Sequence, residues 1–358
     1  AVGNSVTLFM AVSLVLTAAL LALVQPIAAV MSTPAEAVEG TVQYLTICFM
    51  GIPFITAYNI ISSIFRGLGD SKSPMYFVAV ACAANIGLDY LFIGGMGMGP
   101  AGAALGTTLS QTLSVVVALA VITRQKTGLP LGRASFKPRR DILGPILKVG
   151  VPVALQDGFI QVSFILITII ANNRGLNDAA AVGIVEKVIS FVFLVPSSML
   201  STVSALAAQN AGAGKDQRAA QTLRYAVTLC VGFGLAVGIA VQFLAGNIVA
   251  VFDSTPAVVE AGSQYIRGYI WDCMFAGVHF SFSGYFCAYG RSGISFLHNA
   301  LSIVLVRIPG AYFMSRLFPA TLLPMGCAAA AGSCLSVIVC VTAFVWLRRQ
   351  GKLAGAAA

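Results

Sequence analysis

Charged side chains are scarce in this sequence. Only 9% of its 358 residues are Asp, Glu, Lys or Arg, whereas 58% are hydrophobic. A soluble domain carries about 25% charged residues, so this chain has too few to cover a water-exposed surface. The composition therefore excludes a soluble enzyme and a nucleic-acid-binding protein, despite a formal net charge of +9. We predict an integral membrane protein.

The sequence also lacks the motifs of enzymes and metalloproteins. There is no phosphate-binding loop, and no Ser, His and Asp are arranged for catalysis in an aqueous segment. The eight cysteines lie in apolar runs without a CxxC pair, and the two histidines, His279 and His298, are far apart in the chain. We therefore expect no enzymatic activity, no ATP-driven pumping, no cofactor and no structural metal.

Long apolar runs dominate the chain instead. A run such as LVLTAALLALV at 14–24 lacks the alternation of a β-barrel strand and favours helices, each of which needs about 20 apolar residues to cross a bilayer. The breaks at Gly, Pro and charged residues predict an all-α protein with ten transmembrane helices, near 4–31, 41–66, 74–94, 101–123, 142–171, 178–208, 220–252, 257–289, 292–317 and 323–347.

The basic residues predict how these helices are oriented. Sixteen of the 21 Lys and Arg residues lie in every second loop, at the helix ends beside it or after the last helix, and only Arg174 and Arg316 lie at the other loops. Cytoplasmic loops are the ones rich in Lys and Arg. We therefore expect a multi-pass protein of the cell inner (plasma) membrane with a cytoplasmic C-terminus, and the net charge reflects topology.

The two halves of the chain resemble each other. MSTPAEAVEGTVQYL at 31–45 aligns with FDSTPAVVEAGSQYI at 252–266 when one residue is skipped, and GLGDS at 67–71 falls on AYGRS at 288–292, at an offset of 221 residues. Internal repeats are typical of transporters built from two related bundles. At this offset residues 142–221 have no counterpart, so a complete repeat predicts twelve helices, of which the first two are missing here. An asymmetric ten-helix protein is the alternative.

The repeat and the basic loops together predict the domain organisation. We expect an incomplete N-lobe of four helices at 1–123, a basic cytoplasmic linker at 124–141, a six-helix C-lobe at 142–350 and a cytoplasmic tail at 351–358. The linker carries six basic residues that would rest against anionic lipid headgroups. It is either a tether between moving lobes or a topology determinant.

Three segments resemble signatures of the multidrug and toxic compound extrusion (MATE) transporters of the MOP superfamily. They are RGLGDSKSP at 66–74, AAQNAGAGK at 207–215 and NIGLDYLFIGGMGMGPAGAALGTTLSQ at 85–111. The resemblance covers the whole chain, aligned to family helices three to twelve. It implies a monomer of two six-helix lobes that exports amphipathic, often cationic, organic compounds across the lipid bilayer by antiport with H⁺ or Na⁺ through alternating access. The alternatives are a lipid-linked saccharide flippase of the same superfamily and an inactive truncated product.

Asp89 is the main candidate for ion or proton coupling. Asn85 and Asp89 are four residues apart on one helical face inside an apolar segment, and Thr107 enters the next helix. By the resemblance, these three match the residues around the N-lobe cation site of proton-coupled family members. An acid within the membrane is a functional candidate by default, and the only metal we expect is Na⁺ at Asp89. Alternatively, Asp89 lies at the external interface and accepts hydrogen bonds from loop amides.

A second group of charged residues predicts a possible polar site in the C-lobe. Some family members carry an Asp on the helix of Asp272 that serves Na⁺ coupling, although Asp272 lies about one turn further from the following loop. Asp157 could face a cavity or be hydrated near the cytoplasmic interface. Glu186 and Lys187 point about 100° apart, so one of them can pair with Asp157 or Arg307 instead. A structural ion pair is the simpler interpretation of Glu186, Lys187 and Arg307.

Flexible and aromatic side chains could line a substrate cavity, because aromatic faces attract organic cations and methionine adapts its shape. The candidates are Met50, Phe54, Tyr58, Met274 and Phe275, and packing is the alternative role for each. Pro53, Pro152 and Pro196 fall within predicted helices and are candidate kinks.

Overall fold

The computed structural model describes residues 2–30, 38–125, 133–351 and 353, and these residues are largely helical. The all-α prediction is confirmed. The α-helices are α1 Val2–Ala22, α2 Val24–Val30, α3 Val38–Gly67, α4 Lys72–Asp89, α5 Gly99–Gln125, α6 Arg140–Asn172, α7 Leu176–Val192, α8 Leu194–Gly212, α9 Asp216–Ala250, α10 Pro256–Tyr269, α11 Asp272–Ala288, α12 Ser292–Ser302, α13 Ile308–Leu317 and α14 Leu323–Arg349. Two π-helical turns, Tyr90–Gly95 and Ile303–Arg307, continue α4 and α12.

Within the described residues, nine helical segments are long and apolar enough to cross a membrane. They correspond to nine of the ten predicted helices. The remaining one, predicted at 257–289, is divided at Ile270 and Trp271 into α10 and α11, of 14 and 17 residues. Each piece is shorter than the roughly 20 residues that a crossing needs, so only the two together have the required length.

The chain divides into two compact units, Ala1–Ile146 and Leu147–Ala358. In the first unit α3 packs against α1 and α5, and α4 packs against α5. Its core includes Phe65 and Phe77, whose rings meet edge to face with centroids 5.6 Å apart. The division falls just after the predicted linker at 124–141, of which residues 126–132 lie outside the described part of the chain.

In the second unit, α11 packs against α8, α9 and α14, and α10 packs against α7, α9 and α14. Two clusters of buried side chains fill this unit. One surrounds Tyr265 and Tyr269 on α10, and the other surrounds Phe282 and Phe286 on α11.

The internal repeat is visible in the backbone at two helix ends. Gly69 and Gly290, 221 residues apart, have φ angles of +93° and +66°, a conformation that glycine adopts without steric cost. After Gly69, the Asp70 amide donates to the Phe65 carbonyl at 2.9 Å, and the equivalent bond one repeat later measures 2.7 Å. Both α3 and α11 thus end in the same glycine-based cap, in the GLGDS and AYGRS segments.

Within the described residues, proline explains two of the three short breaks between successive helices. Pro196 lies three residues after the break at Phe193, and the break at Leu23 likewise comes three residues before a proline. The proline ring removes one backbone donor and collides with the preceding turn. The predicted kinks at Pro53 and Pro152 lie in helices that continue without a break. The third interruption, at Ile270 and Trp271, has no proline beside it.

Helices α10 and α14 approach each other through glycine. A β-carbon added to Gly326 would collide with the backbone of α10 at the Tyr265 carbonyl, and one added to Gly268 would lie 2.9 Å from the Cys327 amide nitrogen. Small residues allow such backbone contacts between membrane helices. The two helices therefore approach each other backbone to backbone at these glycines.

We expect Gly326→Ala to destabilise the protein by about 1–3 kcal/mol, because the added methyl meets backbone that cannot rotate away. Gly183→Ala is the matched control, since Gly183 lies within α7 with no neighbouring atom within 4 Å of the new carbon. That control should be neutral or stabilising by up to about 1 kcal/mol. Thermal unfolding in detergent measures both, and equal melting temperatures would contradict the close packing.

Candidate functional site

Asp89 is the last residue of α4, immediately before the π-helical turn Tyr90–Gly95. Its side chain faces α5 at Gly106, which is buried. A β-carbon on Gly106 would collide with Asp89 Oδ1 and would lie 3.5 Å from Asn85 Nδ2. The missing side chain of Gly106 thus provides the space that the Asp89 carboxylate occupies.

Two polar atoms at this place have no hydrogen-bond partner among the described residues. Asp89 Oδ1 and Asn85 Nδ2 are both buried and unpaired. A buried polar atom left in this state costs about 1–3 kcal/mol. The predicted pair of Asn85 and Asp89 therefore forms a polar site inside the first unit with unused hydrogen-bonding capacity.

Thr107 is placed differently from Asn85 and Asp89. It is exposed, and its hydroxyl donates to the Ala103 carbonyl of its own helix at 3.1 Å. Its neighbour Gly106 contacts Asp89 instead. The amides of Met96 and Met98, in the loop after the π turn, donate to backbone carbonyls of that turn.

Asp272 is fully buried at the start of α11, directly after the break in the helix. Its Oδ2 atom lies 3.5 Å from Nη2 of Arg307, the last residue of a π-helical turn. Arg307 also donates a short hydrogen bond to the hydroxyl of Tyr269, the last residue of α10. The start of a helix favours a negative charge and Arg307 supplies a positive charge beside it, although neither Asp272 oxygen has a hydrogen-bond partner among the described residues.

Aromatic rings enclose the Arg307 guanidinium. Its central carbon lies 5.5 Å from the ring centroids of both Phe164 and Tyr269, a distance at which a cation and a ring attract. Gly332 on α14 allows the close approach, since a β-carbon there would be 3.2 Å from the Arg307 β-carbon. Arg307 is thus fixed by an acid, a hydroxyl and two rings.

The other predicted C-lobe residues are not part of this ion pair. Glu186 on α7 is half-buried and accepts a hydrogen bond from the Thr168 hydroxyl at 3.3 Å. Lys187 is exposed, and it makes no ion pair within the described residues. Asp157 on α6 is also exposed, whereas its neighbour Gln156 is buried and accepts a hydrogen bond from Ser295.

The predicted cavity residues differ in their environments. Met50 and Phe54 on α3 are 57% and 40% exposed. Tyr58, one turn further along, packs against the core of the first unit. On α11, Met274 packs against Gly234 of α9, and Phe275 is half-buried.

The fold brings together two histidines that are distant in sequence. The rings of His279 on α11 and His298 on α12 lie 5.3 Å apart, and His298 Nε2 is hydrogen-bonded to the Ser283 hydroxyl at 2.8 Å. Both are buried. No group of three His, Cys, Asp or Glu side chains in the described residues could hold a metal ion, so this pair is a packed polar contact.

The RGLGDSKSP segment is organised by Asp70. Its carboxylate accepts hydrogen bonds from the amides of Lys72 and Ser73, both at 3.0 Å, and from the Ser73 hydroxyl at 2.5 Å. These bonds, chiefly the one from the Ser73 hydroxyl, hold the pKa of Asp70 below its ordinary value. Asp70 thereby satisfies free amides at the start of α4, a structural role for this signature.

Comparison of the sequence with known proteins finds a matching family and several relatives. The family described as MatE matches residues 1–91 and 152–313. The probable multidrug resistance protein YpnP of Bacillus subtilis is 29% identical over 78% of this chain and 62% of that protein. The multidrug export protein MepA of Staphylococcus aureus is 24% identical over 82% of this chain and 65% of that protein. The chain thus spans slightly less than two thirds of the length of these two relatives.

Solved structures share the fold. A crystal structure of MATE in the bent conformation superposes with a TM-score of 0.86 at 20% identity, covering 98% of this chain and 77% of that chain. A MOP superfamily transporter from Pyrococcus furiosus, described as having a binding pocket of reverse polarity, gives 0.87 at 20% identity, covering 97% of this chain and 78% of that chain.

Proposed function

The chain belongs to the MatE family of multi-pass membrane transporters, and from this premise we propose that it serves in the export of amphipathic, cationic organic compounds by antiport with H⁺ or Na⁺. We place it in the plasma membrane with its C-terminus on the cytoplasmic side, where the positive-inside rule puts the basic loops. The names of the relatives YpnP and MepA, a probable multidrug resistance protein and a multidrug export protein, support this substrate class.

The observation that carries the proposal is the Asp89 site. An ionised carboxylate in the membrane costs at least about 2.5 kcal/mol, and Asp89 Oδ1 gains nothing back from a protein donor. A proton would remove the charge, and a sodium ion would take the Asp89 carboxylate as a ligand. Binding of either ion would therefore offset the cost of holding this carboxylate in the membrane.

The environment of Asp272, the buried acid of the second unit, supports assigning ion coupling to Asp89. Asp272 already has a cation beside it, because the Arg307 guanidinium lies 3.5 Å away and is itself held by Tyr269. A mobile cation would have to compete with a permanently charged side chain. We therefore propose Asp89 as the coupling residue and the pair of Asp272 and Arg307 as a structural element.

Dye transport in proteoliposomes tests the function. We expect ethidium to move against its gradient when a H⁺ or a Na⁺ gradient is imposed, and to stop when that gradient is collapsed by an ionophore. Protein-free liposomes are the control. Dye movement that is the same with and without both gradients would contradict antiport, and transport of lipid-linked saccharide in place of dye would favour the flippase alternative.

A further inference from the structure

An apolar groove lies on the second unit between α9, α11 and α14. It has a volume of about 770 Å³. Its wall is formed by side chains that include Val227, Phe282, Val341 and Phe344. Phe282 belongs to the buried core of this unit, and Val341 is 42% exposed. The groove is therefore continuous with the packed interior on one side and open to the surroundings on the other.

Two arginines line the same groove. They are Arg224 on α9 and Arg348 at the end of α14, and both are exposed. Neither forms an ion pair within the described residues. The adjoining recess shares Arg348 and contains Asp216, whose carboxylate accepts a hydrogen bond from the Tyr289 hydroxyl at 2.8 Å. The groove thus combines an apolar wall with two unpaired positive charges.

The length of α9 places these charges near the membrane surface. Its 35 residues span about 52 Å, which is about 22 Å more than the hydrocarbon core of a bilayer. If the excess is shared by the two ends, each projects by about 11 Å. Arg224 lies eight residues, or about 12 Å, from the start of α9. Its guanidinium is then at the boundary between headgroups and hydrocarbon, where lipid phosphates are within reach.

We propose that this groove binds one anionic phospholipid. The two guanidinium groups hold the phosphate, which matches their charge and hydrogen-bonding geometry, and an acyl chain lies along the wall of Val227, Phe282 and Val341. A cationic organic compound does not fit, because both arginines repel it. Zwitterionic lipid fits less well, because its headgroup amine lies close to the same two charges. The site is therefore separate from the proposed transport of cations.

Native mass spectrometry of the full chain in detergent tests this assignment. Phosphatidylglycerol and phosphatidylcholine with identical acyl chains are the two probes. Each arginine near the membrane surface strengthens the binding of an anionic lipid about fivefold. We expect phosphatidylglycerol to bind more tightly, and the double variant Arg224→Gln/Arg348→Gln to bind it about 25-fold more weakly than the unmodified protein.

Two further variants make the test specific. Arg349→Gln removes an equal charge beside Arg348 but outside the groove lining and should leave binding unchanged. Val341→Trp fills the groove without changing charge and should weaken phosphatidylglycerol binding as well. The proposal is overturned if phosphatidylcholine binds equally well, if Arg349→Gln weakens binding as much as the double variant, or if glycerol phosphate alone displaces the lipid. Unchanged melting temperatures without lipid verify that the variants fold.

Discussion

Asp89→Asn is expected to abolish gradient-driven export of ethidium while leaving the protein folded. Asparagine keeps the shape of the side chain, but it can neither take up a proton at neutral pH nor neutralise a sodium ion. Because Asp89 Oδ1 has no protein donor in the described structure, removing the charge should leave stability unchanged or raise it. Dye efflux from proteoliposomes and the melting temperature in detergent are the two measurements. Efflux at the unmodified rate would exclude Asp89 as the coupling residue.

A pair of glycine substitutions separates the site from general damage to the helices. Gly106→Ala puts a methyl group against Asp89 Oδ1, whereas Gly87→Ala, on the same helix as Asp89, meets no atom within 4 Å. We expect the first to slow export at least tenfold, since a misplaced coupling group costs more than one factor of ten, and the second to have no effect. Equal export by the two variants would mean that the space beside Asp89 is unimportant.

Arg307→Met is expected to cause the largest loss of stability, about 3–5 kcal/mol, because it leaves the carboxylate of Asp272 buried without a cation. Asp272 is 0% exposed and makes its ion pair with Arg307. The double variant Arg307→Met/Asp272→Leu removes both charges and should recover most of the loss, since apolar replacements of buried ion pairs are often neutral or stabilising. Thermal and denaturant unfolding in detergent measure the stability of the unmodified protein, of Arg307→Met and of the double variant.

Arg316→Met is the matched control for this cycle. Arg316 is also an arginine near an aromatic ring, with its central carbon 5.6 Å from the Tyr312 centroid, but it is exposed. We expect a change within about 0.5 kcal/mol, as at most surface positions. If Arg307→Met were no more harmful than Arg316→Met, or if the double variant were less stable than Arg307→Met alone, the ion pair would not be the structural element proposed for this unit.

The helices could be predicted from the sequence because lipid imposes a simple rule on it. A crossing segment must be apolar for about 20 residues, and such runs can be recognised in the sequence without any knowledge of packing. The repeat could also be recognised in the sequence, because Gly69 and Gly290 occupy equivalent positions. Both have a positive φ angle, which favours glycine. The family resemblance rests on three short motifs, one of which, RGLGDSKSP, contains the repeated GLGDS segment.

The partners within the sites could not be predicted in the same way. Arg307 and Asp272 are 35 positions apart on different helices, and only the packing of α10, α11 and the π turn brings them together. The helix break before Asp272 has no proline beside it that would indicate it in the sequence. The sequence does not indicate the role of Gly106, because a glycine has no side chain that signals a site, although it directly precedes Thr107. Tyr269 lies three residues before Asp272, and nothing in the sequence around it indicates its contact with Arg307.

The break at Ile270 and Trp271 leaves α10 and α11 as two separate helical pieces. On one side of it, Gly268 and Gly326 join α10 to the backbone of α14, and on the other side Gly284 of α11 fits against the backbone of α8. Both pieces also pack against α9 and α14, and they meet at the two residues of the break. Arg307 contacts Tyr269 on one side of the break and Asp272 on the other, so one guanidinium links the ends of both pieces.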